Sequence, residues 1–286
     1  PPTGIPTGQS TVGIPAGSGG NIDIRTTRLV VENGSNIVAG TTSDGAAGDL
    51  YIQATESVVL RGEFAPFFFP TAITTVSIGG LGPAGDLTIE TGWLSAQDGS
   101  PIFADSGARA IEGQVDVGGP AGNVVITATE SVELIGGQML FGVFISSGIR
   151  SRSFTDSPAG TVQITTPILT LQDGGQITSA ARNSGDGGAI NIDAQTVVIS
   201  GVGTDDPDAR SGIVASAGVE AQTSFVTGEI IAVPASGAGG TITLNAETLT
   251  VQDGAEVSVG SFGTGGAGNL NLTANTIRLD SGGSLT

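Results

Sequence analysis

The sequence predicts an all-β chain: a right-handed parallel β-helix (a β-solenoid) of about eight coils, with a 28-residue basic repeat and loop insertions. Three observations predict it. Gly240 to Val259 (GTITLNAETLTVQDGAEVSV) alternates apolar and polar residues with a period of two, the mark of half-buried strands, and Asp253-Gly254 supplies a turn between them. The same pattern returns from Gly268, 28 residues later, and a repeat of that length built from short strands stacks into a solenoid. The composition agrees: 48 Gly and 4% aromatics suit tight strand corners, while 38% hydrophobic residues suffice for a core and argue against disorder. The right hand follows from the usual hand of parallel crossovers. A left-handed hexapeptide helix fits less well, because 28 is not a multiple of its step.

Residues 1–15 (PPTGIPTGQSTVGIP) read as a Pro/Gly-rich linker, arm or cap, and 16–286 as the repeat domain. Strands begin after Gly20, Gly48, Gly85, Gly122, Gly160, Gly188, Gly240 and Gly268, spaced 28, 37, 37, 38, 28, 52 and 28 apart, so coils two, three, four and six carry insertions. A second glycine follows at Gly34, Gly62, Gly99, Gly136, Gly174, Gly254 and Gly282, with Gly201 one place early. Three residues further on stands an apolar column: Ile37, Ala65, Ile102, Met139, Ile177, Val257 and Leu285. This alignment puts the insertions after the third strand of their coils. Small residues such as Thr26, Ala54, Ala128 and Ala246 mark the first corner. Asn21, Asp49, Asp86, Asn123 and Asn269 share another, where stacked polar side chains can bond along the axis. Three strands per coil predict a triangular section, and eight levels at ~4.8 Å give a rod on the order of 40 Å long. The chain opens like interior sequence and stops partway through a coil, as a segment of a longer protein would.

The net charge of −18, with nine arginines and no lysine, excludes a basic face for nucleic acid and disfavours an anionic membrane surface. Without Cys or His there is no disulfide framework, thiolate site, imidazole base or histidine-zinc site. No signal peptide opens the chain, and no apolar run is long enough for a spanning helix.

Asp205, Asp206 and Asp208 in GVGTDDPDARSG bring three carboxylates into four positions and can supply the oxygens a calcium ion needs. The alternative is a solvated acidic turn around Pro207, with Arg210 beside it to neutralise the charge. Phe64, Phe67, Phe68 and Phe69 in EFAPFFFP are either a partner contact or a flap over an apolar flank. The run Ile230 to Val233, within the excursion 218–239, is either an extra strand or hairpin or a contact segment. Arg150 and Arg152 have no carboxylate cluster beside them in sequence, so a lyase reading has only fold analogy behind it. No enzyme activity is expected, and no cofactor other than calcium.

The stretches AGNLNLTANTIRLDSGGSL (267–285), GGTITLNAETLTVQDGAEV (239–257) and AGTVQITTPILTLQDGGQI (159–177) resemble the repeats of filamentous-haemagglutinin-like exoproteins of two-partner secretion, in the style common in cyanobacterial members. The resemblance spans about residues 16 to 286. It implies a right-handed β-helix exported by an outer-membrane transporter and placed on the cell surface or released. The expected function is a secreted structural or adhesive shaft that displays contact loops towards host-cell, matrix or polysaccharide surfaces. Such shafts can also stack end to end into filaments. The alternative is a β-helix protein that binds or cleaves polysaccharide.

Overall fold

The computed structural model describes residues 17–62, 70–78, 80–107, 118–140, 142–182, 184–218, 222–223, 230–231 and 236–286. Among them there is no helix. Two parallel eight-stranded sheets carry the architecture, and the chain visits them alternately. The long-strand sheet is formed by Ile22–Glu32, Leu50–Arg61, Leu87–Gln97, Val124–Ile135, Val162–Gln172, Ala189–Ser200, Thr241–Gln252 and Asn269–Leu279. The short-strand sheet is formed by Asn36–Thr41, Ala72–Ser77, Pro101–Ser106, Gly148–Ser153, Gln176–Ala181, Gly212–Ala217, Glu256–Ser261 and Ser284–Leu285.

The expectation of three separate strands per repeat is corrected here. Pairing continues across the small-residue corner, so the first two predicted strands form one long bent strand; Ala246 pairs with Ala274 in the middle of an unbroken ladder. The inward phase changes at the bend. Ile242 and Leu244 point inward before it and Leu249 and Val251 after it, and all four are fully buried. Repeats two and four each carry one extra corner residue, seen as register shifts at Ala54/Ser57 and at Thr165/Ile168 against Val124–Ile135. Where repeat three passes under the first of these, Gly92 leaves room for the Glu56 carbonyl.

The core is a stack of aliphatic columns, and a fully buried aliphatic side chain contributes ~1.5–3 kcal/mol. The column expected at Ile37, Ala65, Ile102 and Met139 has different occupants. Pairing runs Ile37, Ile73, Ile102, Ile149, Ile177, Ile213, Val257, Leu285. Ala65 lies outside the described residues, and Met139 is exposed on a hairpin. The cause is where the insertions leave. In repeats two, four and six the chain departs at Gly62, Gly136 and Gly201, before the short strand. Only residues 108–117 and the excursion after Gly218 follow one. Gly62, Gly136 and Gly201 correspond to Asn33, Asp98, Asp173, Asp253 and Ser281 of the other repeats, all in the left-handed region, and not to the glycines that follow those residues. Gly136 N–H bonds Gln172 O just as Asp173 N–H bonds Ser200 O. On re-entry, each inserted segment places a hydroxyl under the tight turn below: Gly34, Gly99 and Gly174 donate to Thr71 Oγ1, Ser147 Oγ and Ser211 Oγ at 2.9, 3.0 and 2.9 Å.

The polar corner does bond along the axis. Asn21, Asp49, Asp86 and Asn123 each use Oδ1 to accept the next repeat's backbone N–H, from Asp49, Asp86, Asn123 and Thr161 at 2.9, 2.9, 2.8 and 2.9 Å. The glycine before this corner is needed for close approach. A Cβ on Gly48, Gly85, Gly122, Gly160, Gly188, Gly240 or Gly268 would overlap the carbonyl oxygen of the preceding glycine in that series.

Candidate functional site

The outer face of the short-strand sheet is where charge and aromatic rings gather. Alternation along Gly148–Ser153 turns Ile149, Ser151 and Ser153 inward, all fully buried, and leaves Arg150 and Arg152 outward. Register then sets their neighbours: Ile149 pairs with Ile102 and Arg150 with Phe103, which brings Asp105 beside Arg152. Asp105 Oδ2 accepts from Arg152 Nη2 at 2.8 Å and Nε at 3.2 Å, and Oδ1 accepts the Arg152 backbone N–H at 2.9 Å. Arg150 Nε lies 3.5 Å from the same Oδ2 and makes no hydrogen bond.

The Asp105 and Arg150 side chains are only 5% and 16% exposed, so two guanidinium groups share one buried carboxylate, Arg150 largely out of water and Arg152 facing the solvent side at 30% exposure. Burial, then repulsion from Arg152, pushes the Arg150 pKa down to about 9, while Asp105 opposes the shift. Aromatic faces supply the remaining stabilisation. Arg150 stacks over Phe103 at 4.7 Å, and Phe154 is held between Arg152 and Arg182 at 4.9 and 4.8 Å.

From this cluster a groove of about 580 Å³ runs across repeats four to seven. Its floor is small and mixed: Thr178, Ala180, Val214, Ser216 and Ser258. Arg152, Phe154 and Arg182 stand at one end, Glu256 and Phe262 at the other. Phe262 is 49% exposed, and Arg210 Nη1 lies 3.7 Å from Glu256 Oε2.

The sequence singled out Arg150 and Arg152 without their partner, because Asp105 lies in the preceding repeat. It did not single out Phe103, Phe154 or Arg182. The signal was available in the short-strand column: once Ile149 is aligned with Ile102, Asp105 and Arg152 fall at one position.

The Asp205–Asp208 loop is closed by local bonds. Asp206 Oδ1 accepts the Asp208 backbone N–H at 3.1 Å, Gly203 N–H bonds Ala209 O at 2.7 Å, and Val202 bridges Arg210. Asp205 and Asp208 are exposed and Asp206 is half-buried. Among the described residues no three acidic side chains converge as a metal site. Arg210 pairs with Glu256 across repeats.

Phe64, Phe67, Phe68 and Phe69 lie outside the described residues. Of the 218–239 excursion, Gln222–Thr223 and Ile230–Ile231 pair antiparallel. A further arm emerges in repeat four, where Gly137–Leu140 pairs with Val143–Ser146. Its Phe144 ring lies where a Cβ on Gly174 or Gly203 would fall, and Gln138 Nε2 bonds Asp98 O at 2.6 Å, so the arm spans the turns of repeats three, five and six.

No family model, curated protein or solved structure matches this chain.

Proposed function

We propose that this chain is a secreted structural or adhesive exoprotein: a rigid right-handed parallel β-helix of eight coils that displays contact loops and stacks end to end into extracellular filaments. The observation that carries this reading is the separation of scaffold from display. The paired columns keep one register through every insertion, and each inserted segment leaves and rejoins at a turn. A scaffold that tolerates variable arms without repacking suits the presentation of contacts. The repeat resemblance supports export through an outer-membrane transporter and a place on the cell surface. The reading is non-enzymatic, with the mechanism mechanical and interfacial.

The groove beside Arg152 and Arg182 favours the binding half of the alternative, a protein that holds polysaccharide, and the two readings are compatible in one adhesin. Electron microscopy over a range of concentrations, combined with retention of the labelled chain on polysaccharide- or matrix-coated surfaces under flow, tests the proposal. Short rods or filaments with an axial repeat on the order of 40 Å, retained on at least one surface, are expected. Compact particles that wash off every surface would overturn it.

A further inference from the structure

We propose that the groove on the outer face of the short-strand sheet binds a short acidic glycan, with a uronate carboxylate set against the Arg152–Phe154–Arg182 end and sugar rings laid across the small-residue floor. The inference deepens the adhesive reading and rests on it.

Charge supplies the first argument. In a chain of net charge −18 with nine arginines, Arg150, Arg152 and Arg182 meet on one face over two adjacent repeats. Asp105 is the shared partner of Arg150 and Arg152, and one carboxylate cannot neutralise both. Buried charge is costly until it is paired, and Asp105 is already engaged by both of its arginines. Arg152 and Arg182 line the groove, and a ligand carboxylate set between them adds negative charge to the accessible side of the cluster. Arg is the residue suited to it, since its planar fork matches a carboxylate and keeps its charge when partly desolvated. The overall negative charge does not forbid this approach, because charges beyond about 10 Å are screened at 0.1 M salt.

Shape supplies the second. The floor crosses three strand-to-strand steps after Gly148–Ser153, about 14 Å at ~4.8 Å each, the length of a short oligosaccharide. Its outward residues are hydroxyls and small aliphatics, so hydroxyl-rich rings can approach the sheet closely. Phe154 and the exposed Phe262 stand at the two ends as flat apolar surfaces for the C–H faces of a sugar. Glu256, bridged to Arg210, accepts hydrogen bonds from sugar hydroxyls at the far end. An acidic peptide would match the arginines, but it would place its second carboxylate or its backbone against Glu256 and leave the hydroxyl floor unused.

The test is titration calorimetry of the full chain with a short galacturonic acid oligomer. The comparison ligands are a neutral galactose oligomer of the same length and a glutamate oligopeptide. Saturable binding of the uronate alone is expected, weakened about tenfold by Arg182→Ala and abolished by Ala180→Trp, which fills the floor without touching a charge. Arg278→Ala, in the last long strand, is expected to leave binding unchanged. No saturable uronate binding, or binding insensitive to both groove variants, overturns the proposal. Equal or tighter binding of the glutamate peptide overturns it in favour of a protein partner. If the rods adhere under flow while uronate fails, the adhesive reading survives and only the glycan site falls. If neither adheres nor binds, both fall.

Discussion

Asp86 Oδ1 receives two hydrogen bonds from one residue in the next repeat: the Asn123 backbone N–H at 2.8 Å and its side-chain Nδ2–H at 3.0 Å. The pair is the middle of a ladder running from Asn21 to Thr161 in which only the Oδ1 acceptor is essential, as the mixture of Asn and Asp at its rungs indicates. Asp86→Asn therefore stays within about 0.5 kcal/mol of the parent. Asp86→Ala, which leaves the Asn123 donors without their acceptor, costs about 0.5–1.5 kcal/mol. Urea denaturation of both variants checks this, and equal losses would show that charge, not the acceptor, matters.

Gly188→Ala places a methyl group into the Gly160 carbonyl and against Ser179 Oγ. An overpacked backbone contact of this kind costs about 1–3 kcal/mol. Gly20→Ala occupies the same position in the first repeat, where a Cβ meets nothing within 4 Å. It is expected to be neutral or slightly stabilising, because Ala restricts the unfolded chain. Thermal melts of the two variants should move in different directions.

The two halves of the Asp105 cluster differ in sign. Asp105→Ala leaves the largely buried Arg150 guanidinium and the partly exposed Arg152 without their shared carboxylate and costs about 3–5 kcal/mol. Arg150→Met removes the guanidinium that lacks a hydrogen bond at Nε, leaves Arg152 on Asp105, and is neutral or stabilising by about 1–4 kcal/mol. The pH dependence follows from the Arg150 pKa, pushed down to about 9 from the ordinary guanidinium range. Below pH 9 the folded state carries the charge at full cost. Between pH 9 and that ordinary range the unfolded state binds more protons, so stability from this group rises with pH. The advantage of Arg150→Met should accordingly shrink from pH 9 upward, measured by chemical denaturation.

Millimolar calcium is expected to leave the melting temperature unchanged. Asp206 already engages one oxygen with the Asp208 N–H, Asp205 and Asp208 are exposed, and the three carboxylates do not converge. A melting temperature that climbs with the logarithm of calcium concentration would show that the loop rearranges to gather the three carboxylates.

Replacing residues 137–146 by a single glycine gives Gly136-Gly-Ser147, the length of the Asp173-Gly174-Gly175 turn one repeat later. Ser147 keeps its hydrogen bond to Gly136 O and its role under Gly99. Shortening a loop changes closure entropy only slowly, so the change in stability should stay below about 1 kcal/mol. A large loss would mean that the Phe144 contact, and not the stacked columns, holds this level together.

How much was legible in the sequence divides along the same line. The parallel stacking, the polar ladder and the core alternation could be read because each repeat writes them in residues that recur at fixed spacing. The expected short strands of repeats two and four are displaced because Gly62 and Gly136, after the extra corner residue, look like the second residue of a two-residue turn. Gly201, by contrast, stands one place early and signals its position. All three act as the first. Like Asn33, Asp98 and Asp173 in the tight turns they have positive φ, with Gly136 and Gly201 at 71° and 82° near those residues and Gly62 further out at 117°, and glycine reaches such values at no steric cost. A residue type compatible with two positions carries no information about which one it fills. The spacing then points to Ala65 and Met139 where the column holds Ile73 and Ile149, and it separates Asp105 from Arg152. The groove was hidden for another reason: it is made of small residues contributed by four repeats, and no single stretch contains it.

The arms that leave before the short strand occur at repeats two, four and six, with tight Asx-Gly turns between them. The antiparallel arm of repeat four, Gly137–Leu140 against Val143–Ser146, reaches beyond its own storey: Gln138 bonds Asp98 O, and Phe144 lies against Gly174 and Gly203. The storeys on either side of it carry two-residue turns at Asp98 and Asp173, and it is the shortness of these neighbours that leaves the flank open for the arm to fold down on.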